Sequence, residues 1–359
     1  MLKWIRMKTL PKIILTLALS FGTACADAQV PTLQKVGTYR LPASAPEGLS
    51  GLAWLGDSKF IAAEDSGGHI HSFKLLFDET TGAITNCSFT AAQTIPDLQD
   101  AEGIAYAKST DCLYVSDETG PKILRLSPKT ETTSGASLPL PDILREIRPN
   151  KSLEALTYGT DADGKEVLWT ANEDALSCDG PVSSTNTESV VRLFALDPAD
   201  EKTASREWKY KLDKAEGNGL SFGSRTIFTP FNGLAALAAL GDGKLLALER
   251  ICGQKTVSDE TSSETTLITI RIYFIDTAKV SPDSDTLLPK TLLCTLHSGI
   301  ANYEGMTLGP TLPDGSRLLI LIADGDTTTV TLNNMNFTFS WEKALFSLKL
   351  RQPTVAEQP

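Results

Sequence analysis

Apolar residues in this chain come in short runs with strand periodicity, separated by turns rich in Gly, Asp, Asn and Pro. One short phrase returns in variant form: AEGIAYA from Ala101, LEALTYG from Leu153 and YEGMTLG from Tyr303, with looser copies LSGLAWL from Leu49 and LAALAAL from Leu234. Each is followed, 11 to 15 residues after it starts, by an apolar run ending at or beside an acid: FIAAED, LYVSDE, LWTANE, LLALER and LLILIAD. Self-similarity at this spacing predicts a repeat architecture.

Two further strands complete each unit. The third is HIHSFKL from His69, KILRLS from Lys122, VVRLFAL from Val190, TLITIRIYFI from Thr266 or KALFSLKL from Lys343. The fourth is ITNCSFTAAQTI from Ile84, SGASLPL from Ser134, SREWKYKL from Ser205 or KTLLCTL from Lys290. The fifth unit has no fourth strand, whereas QKVGTYRL, Gln34 to Leu41, is an orphan at the other end. Pairing the two closes a ring and leaves no free sheet edge. The prediction is an all-β chain: a single β-propeller over residues 33–351, with five four-stranded blades closed by the N-terminal strand. A sixth blade within Thr130 to Ser152 or Ala215 to Phe231 is the alternative. PDILREI, from Pro141, reads as a turn or two of helix. The polar stretches Ala175 to Glu188 and Gly253 to Thr265 read as long loops after the second strands of units three and four.

The first 28 residues stand apart from this pattern. Lys3, Arg6, Lys8 and Lys12 precede an apolar stretch from Ile13 to Phe21, and Ala26-Asp27-Ala28 has the small-x-small form of a cleavage site. The mature chain is expected to begin near Gln29, exported to the periplasm or secreted; lipid anchoring through Cys25 is the alternative. No later stretch has the length and hydropathy of a membrane span. Residues 352–359 read as a C-terminal tail. Net charge is −11, falling to −14 once the four basic residues and Asp27 of the leader are removed. That argues against nucleic acid, which needs clustered Lys and Arg. A monomer is expected.

In a propeller the first strand of each blade lines the channel, and its start lies beside the end of the antiparallel second strand. Glu102, Glu154 and Glu304 open their first strands; Asp65, Glu118, Glu173, Glu249 and Asp324 end second strands, with Asp117 and Asp326 close by. All are expected at one channel mouth. Carboxylates gathered around a pore must be protonated, paired or metal-bound. With three histidines (His69, His71 and His297) and no CxxC, the donors are hard oxygens, which favour calcium. The metal set is Asp65, Glu102, Asp117, Glu118, Glu249, Glu304 and Asp324. A structural alternative stays open: the glycines after Glu102 and Glu304 serve close packing and the acids latch onto backbone N–H groups. Arg250 pairs with these acids or receives an anionic substrate group, and Glu154 or Glu173 is the candidate general base. Among the five cysteines beyond the leader, Cys178 and Cys252 are expected as a disulfide over the mouth; Cys87, Cys112 and Cys294 are not. His69 and His71 share one face of a strand without a catalytic pattern, and no GxSxG elbow is present.

At these residues the chain resembles the phytase-like propeller family, also called esterase-like activity of phytase, from roughly Val36 to Leu350. The matching phrases are LSGLAWL with AAEDSGG, DAEGIAYA with LYVSDETGPKILRL, SLEALTYG with TANED, LLALER, and NYEGMTLGPTLPDGSRLLILIADGD. Two departures are Asp324-Gly325-Asp326, without the usual Asn or aromatic, and Ala63-Glu64-Asp65 in place of Ser-Asp. The resemblance implies a propeller, export and calcium dependence, and more loosely hydrolysis of a phosphoester or ester. The substrate expected is a small anionic or ester molecule, acted on by a calcium-dependent phosphoric-ester hydrolase or by a lactonase or carboxylesterase. The other function class is a non-catalytic binding or scaffold propeller with a structural ion.

Overall fold

The repeated unit folds as a four-stranded antiparallel sheet, and the computed structural model places five such blades in a ring. The structure describes residues 30–127, 135–199, 205–222, 225–258, 263–332 and 335–353. The leader, its cleavage motif, Cys25 and most of the tail lie outside the described residues.

Blade one is Leu49–Gly56, Lys59–Glu64, His69–Phe77 and Ile84–Thr94. Blade two is Ala101–Ala107, Cys112–Asp117, Lys122–Leu126 and the two-residue Ala136–Ser137. Blade three is Ala155–Thr160, Glu166–Ala171, Val190–Leu196 and Ser205–Lys211. Blade four is Phe231–Gly241, Lys244–Ser258, Ser263–Asp276 and Lys290–His297. Blade five is Tyr303–Thr311, Arg317–Ala323 and Ala344–Arg351, completed by Thr32–Arg40 from the N-terminus, antiparallel to the last strand. The segments considered for a sixth blade hold instead a 3-10 turn at Asp142–Glu146 and a small hairpin, Leu220–Phe222 with Arg225–Phe228. Among the described residues no helix is long and apolar enough to cross a membrane.

The apolar runs are nearly continuous because each blade is buried on both faces. Along the second strand of blade one, Phe60 and Ala62 pack toward blade five, while Ile61 and Ala63 pack toward blade two. Five hydrophobic clusters of this kind fill the five interfaces.

The recurring glycine has a steric cause. A Cβ on Gly103 would stand 2.6 Å from the Glu154 carbonyl oxygen of blade three, and one on Gly305 would stand 2.6 Å from the Ser50 carbonyl oxygen of blade one. The inner strands approach too closely at the axis for any side chain there. Gly103→Ala is therefore expected to destabilise the protein by about 2 kcal/mol, read as a lower denaturant midpoint with an unchanged m-value; a midpoint equal to that of the parent would refute the packing explanation.

One expected loop is instead sheet. The second and third strands of blade four stay paired out to Ser258 and Ser263, so the described residues of the stretch Gly253 to Thr265 form part of a protruding ribbon. Its Thr, Lys, Val and Glu residues alternate as strand residues do, and their polarity reflects solvent on both faces. A second ribbon, Thr327–Leu332 with Met335–Ser340, stands at the corresponding connection of blade five. The segment 175–188 remains a loop.

Candidate functional site: an acidic channel mouth

Backbone pairing carries the acids to one end of the ring. Beyond the second strands of four blades a further hydrogen bond joins the two inner strands: the N–H groups of Asp65, Glu118, Glu173 and Asp324 donate to the carbonyls of Gly48, Asp100, Ser152 and Asn302, at 2.8, 2.8, 2.8 and 3.0 Å. These four acids thus stand beside the residues that open the inner strands: Ser50, Glu102, Glu154 and Glu304.

The mouth divides into two halves. In one, Arg250 is the hub. Its guanidinium donates to Glu304, to Glu173 at 2.8 Å and to Asn302 at 3.3 Å, and lies 3.6 Å from Glu154. Lys151 pairs with the other oxygen of Glu173 at 2.6 Å, and the Phe231 ring lies against both cations. Arg250 is only 8% exposed, so its charge is compensated inside the protein.

The other half has few cations. One carboxylate oxygen from each of Asp100, Glu102 and Glu118 lies within 4.8 Å of the others. Ser50 donates its hydroxyl to Glu102 and sits 3.3 Å from Glu304; Glu118 accepts the Ser152 N–H at 2.7 Å. Burial pushes Glu102 well above the usual carboxylate range, and the nearby Glu304 charge adds to it. Burial also raises Glu118, and raises Asp100 with help from Asp117. Asp65 is pushed up to about 7 and Asp324 to about 8, by burial first and the Glu304 charge second. Burial and Glu173 raise Glu154, against the opposing pull of Arg250. Among the described residues, two buried carboxylate oxygens, on Glu154 and on Asp324, have no hydrogen-bond partner.

Two expected members are engaged elsewhere. Asp117 accepts the backbone N–H groups of Gln99 at 2.6 Å and Thr119 at 2.9 Å, a latch on the turn between blades. Glu249 is fully buried between blades three and four, where Tyr210, Asn232 and Lys290 donate to it at 2.7, 2.7 and 2.5 Å. Alternation explains this placement: Leu245, Ala247 and Glu249 face blade three, while Leu246, Leu248, Arg250 and Cys252 face the other way.

The expected Cys178–Cys252 disulfide does not form. Cys178 is exposed on its loop, whereas Cys252 is buried in the cluster between blades four and five, opposite Ile268 in the sheet; all five described cysteines are free. Burial pushes the Cys252 thiol up to about 11. Of the histidines, His71 pairs with Glu64 at 2.5 Å and His69 bonds Thr94 at 3.0 Å.

Asp100, Lys151 and Asn302 stand at the mouth although strand-end reasoning passed them over, and Ser50 stands there with them. Asp100 stands two residues before Glu102 in the DAEG phrase, and Ser50 holds the place before Gly51 that Glu102 holds before Gly103. Position within the repeat was the available signal.

Fold and mouth together define a five-bladed propeller with a charged axial opening. The chain belongs to the Phytase-like family, described as esterase-like activity of phytase, whose model matches residues 45–327. No curated protein matches the sequence. Solved structures similar to it include the PQQ-bound aldose sugar dehydrogenase of Streptomyces coelicolor, with 11% identity, a TM-score of 0.41, and coverage of 90% of this chain and 99% of that one. The endo-arabinase of Bacteroides thetaiotaomicron shows 14% identity and a TM-score of 0.42, over 85% of this chain and 96% of that one. Virginiamycin B lyase from Staphylococcus aureus shows 12% identity and a TM-score of 0.35, over 90% and 100%.

Proposed function

We propose that the acidic half of the mouth binds a divalent cation, calcium, and that the protein is an exported hydrolase of esters carrying little charge. The observation that carries this reading is the approach of Asp100, Glu102 and Glu118 to within 4.8 Å, in a half of the mouth that Arg250 does not serve. Their donors, with the Ser50 hydroxyl beside them, are the hard oxygens calcium takes. The unpartnered oxygens of Glu154 and Asp324 and the raised carboxyls around them fit the same demand for positive charge.

Such an ion, when bound, polarises a carbonyl or phosphoryl oxygen and makes a bound water more acidic. The chain's own residues supply the rest. Glu154 has one oxygen held toward Arg250 and one unpartnered, and its raised proton affinity suits a general base. Arg250 orients Glu154, Glu173 and Glu304; with three carboxylates around it, it is not available to a substrate phosphate. That favours a carboxylic ester or lactone over a polyphosphate. Export rests on the basic and apolar segment before Gln29.

The test is a calorimetric titration of chelator-stripped protein from Gln29 onward with calcium, with magnesium as control. Saturable calcium binding is expected, weakened at least roughly tenfold by Glu102→Gln, since one ligand charge is lost. A flat titration of the parent protein would overturn the metal reading. With calcium present, Glu154→Gln separates the roles: lost ester turnover at an unchanged melting temperature supports catalysis, and a lowered melting temperature supports a purely structural ion.

A further inference from the structure

The acidic triad also forms part of the wall of a recess. A cavity of about 350 Å³ opens beside it, with Asp100 and Glu118 among the lining residues. Chain direction accounts for the placement. Glu118 follows the second strand of blade two and leads into the turn 119–121, while the 3-10 turn Asp142–Glu146 and residues 147–150 lead toward blade three. Both segments line the recess, and the Ser152 N–H on Glu118 at 2.7 Å ties one to the other. The wall is mixed, apolar and polar in similar measure. Pro121 and Ile147 are half-buried and Pro149 is exposed, so apolar surface is open to a ligand. The two prolines fix the backbone locally, which makes this wall rigid.

Arg148 lines the same recess and is engaged differently from Arg250. Its Nε donates to the Ala175 carbonyl at 3.0 Å and its Nη2 to the Gly180 carbonyl at 2.9 Å. These two bonds leave Nη1 with no partner among the described residues. Carbonyls accept hydrogen bonds without compensating the charge, and among the described residues no carboxylate pairs with Arg148. Arg145, which also borders the recess, does pair, with Asp142 at 2.9 Å. In a chain of net charge −11, a half-buried guanidinium without a counter-ion stands out, since charges withdrawn from water are ordinarily paired. The recess thus combines oxygen donors for a cation, a short apolar wall and one uncompensated positive charge.

We infer that this recess is where the substrate of the mouth lies, and that the substrate is a carboxylic ester or lactone bearing one remote carboxylate. The inference rests on the cation reading above. The ester carbonyl meets the cation held by Asp100 and Glu118, a short aliphatic body lies along Pro121, Ile147 and Pro149, and the carboxylate meets Arg148. A hydrogen bond between guanidinium and carboxylate is about twice as strong as one between neutral groups. The two carbonyls that hold Arg148 fix it before a ligand arrives, which lowers the entropy lost on binding. Volume and charge set the limits. Ligand pockets span about 300–1,000 Å³, so the recess suits a small molecule, and the two acids in its wall disfavour a second anionic group.

The experiment is a calorimetric titration of the calcium-loaded protein from Gln29 onward with the monoamides of succinic, glutaric and adipic acids. These carry a carbonyl and a remote carboxylate but no ester bond to hydrolyse. Butanamide, pentanamide and hexanamide, equal in chain length and uncharged, are the comparisons, with inorganic phosphate as a further one. At least one monoamide is expected to bind roughly tenfold or more tightly than its neutral counterpart, the gain that one charge-assisted contact supplies. The same monoamide should bind more weakly in chelator, and Arg148→Gln should remove its preference over the neutral amide. The inference falls if no monoamide outbinds its neutral counterpart, if chelator leaves its affinity unchanged, if phosphate binds more tightly, or if Arg148→Gln binds as the parent does. A flat calcium titration would defeat the cation reading and this inference together, whereas calcium binding without a preference for the monoamide overturns this inference alone. The ligand comparison on the parent protein decides the matter even where the variant fails to fold.

Discussion

Replacing Arg250 by methionine is expected to cost about 3–5 kcal/mol of stability, the largest effect of any single substitution at the mouth. The guanidinium holds Glu304, Glu173 and Glu154 around one buried charge. Removing it leaves three carboxylates together with only Lys151 nearby, and breaking a buried ion pair from one side carries a cost of this size because the remaining charge stays uncompensated. Denaturant unfolding at pH 7 measures the loss. Two further results identify its cause. The deficit should shrink toward pH 5, where the orphaned acids take up protons, and Glu173→Gln in the Arg250→Met background should recover part of it. A deficit independent of pH would assign the loss to packing against Phe231 instead.

The second large effect is a pH dependence opposite to that of most proteins. Asp65 and Asp324 titrate near 3.8 when unfolded, but at about 7 and about 8 when folded. Between those limits the native state holds more protons than the unfolded state, so stability falls as pH rises. It is fully present below about pH 4 for these two groups and is lost on passing pH 7 to 8. In chelator the melting temperature should drop on the order of 5 °C between pH 5 and pH 8.5, a modest figure because Asp65 is partly solvated. Asp324→Asn should flatten the slope. Calcium should flatten it as well, since coordination stabilises the deprotonated form. A melting temperature that climbs steadily across this range in chelator would show that other groups dominate.

The parts of the fold that repeat were legible in the sequence. The phrase from Ala101 to Ala107 is the inner strand of blade two residue for residue, and the orphan near Gln34 does complete the last blade. Period-two alternation and recurrence at a fixed spacing are local properties of the chain, and the blade interfaces demand them. The misread portions depend on which of two faces a residue takes. LLALER ends in Glu249 and Arg250, and only the sheet register shows that the acid turns into the interface with blade three while its neighbour reaches the axis. The strand also runs on to Ser258, which polarity had disguised as a loop. Cys178 and Cys252 were joined by reasoning about which face each loop occupies, whereas Cys252 lies inside a strand and points into apolar packing. Asp117 and Glu118 are adjacent, yet one is spent on backbone N–H groups and the other turns toward Asp100 and Glu102. Asp100 precedes its strand and so fell outside a search for strand-end acids.

The N-terminal strand sets the order in which the molecule is made. Arg40 pairs with Glu342, 302 positions away, and the two ends of the chain share one sheet. Until both are present, blade five lacks an outer strand and the ring has an open seam through which Leu318, Ile320 and Leu345 meet water. Ring closure is thus a contact of very long sequence separation, the kind that slows folding. A chain emerging from the ribosome therefore cannot close the ring before Ala344–Arg351 has been synthesised.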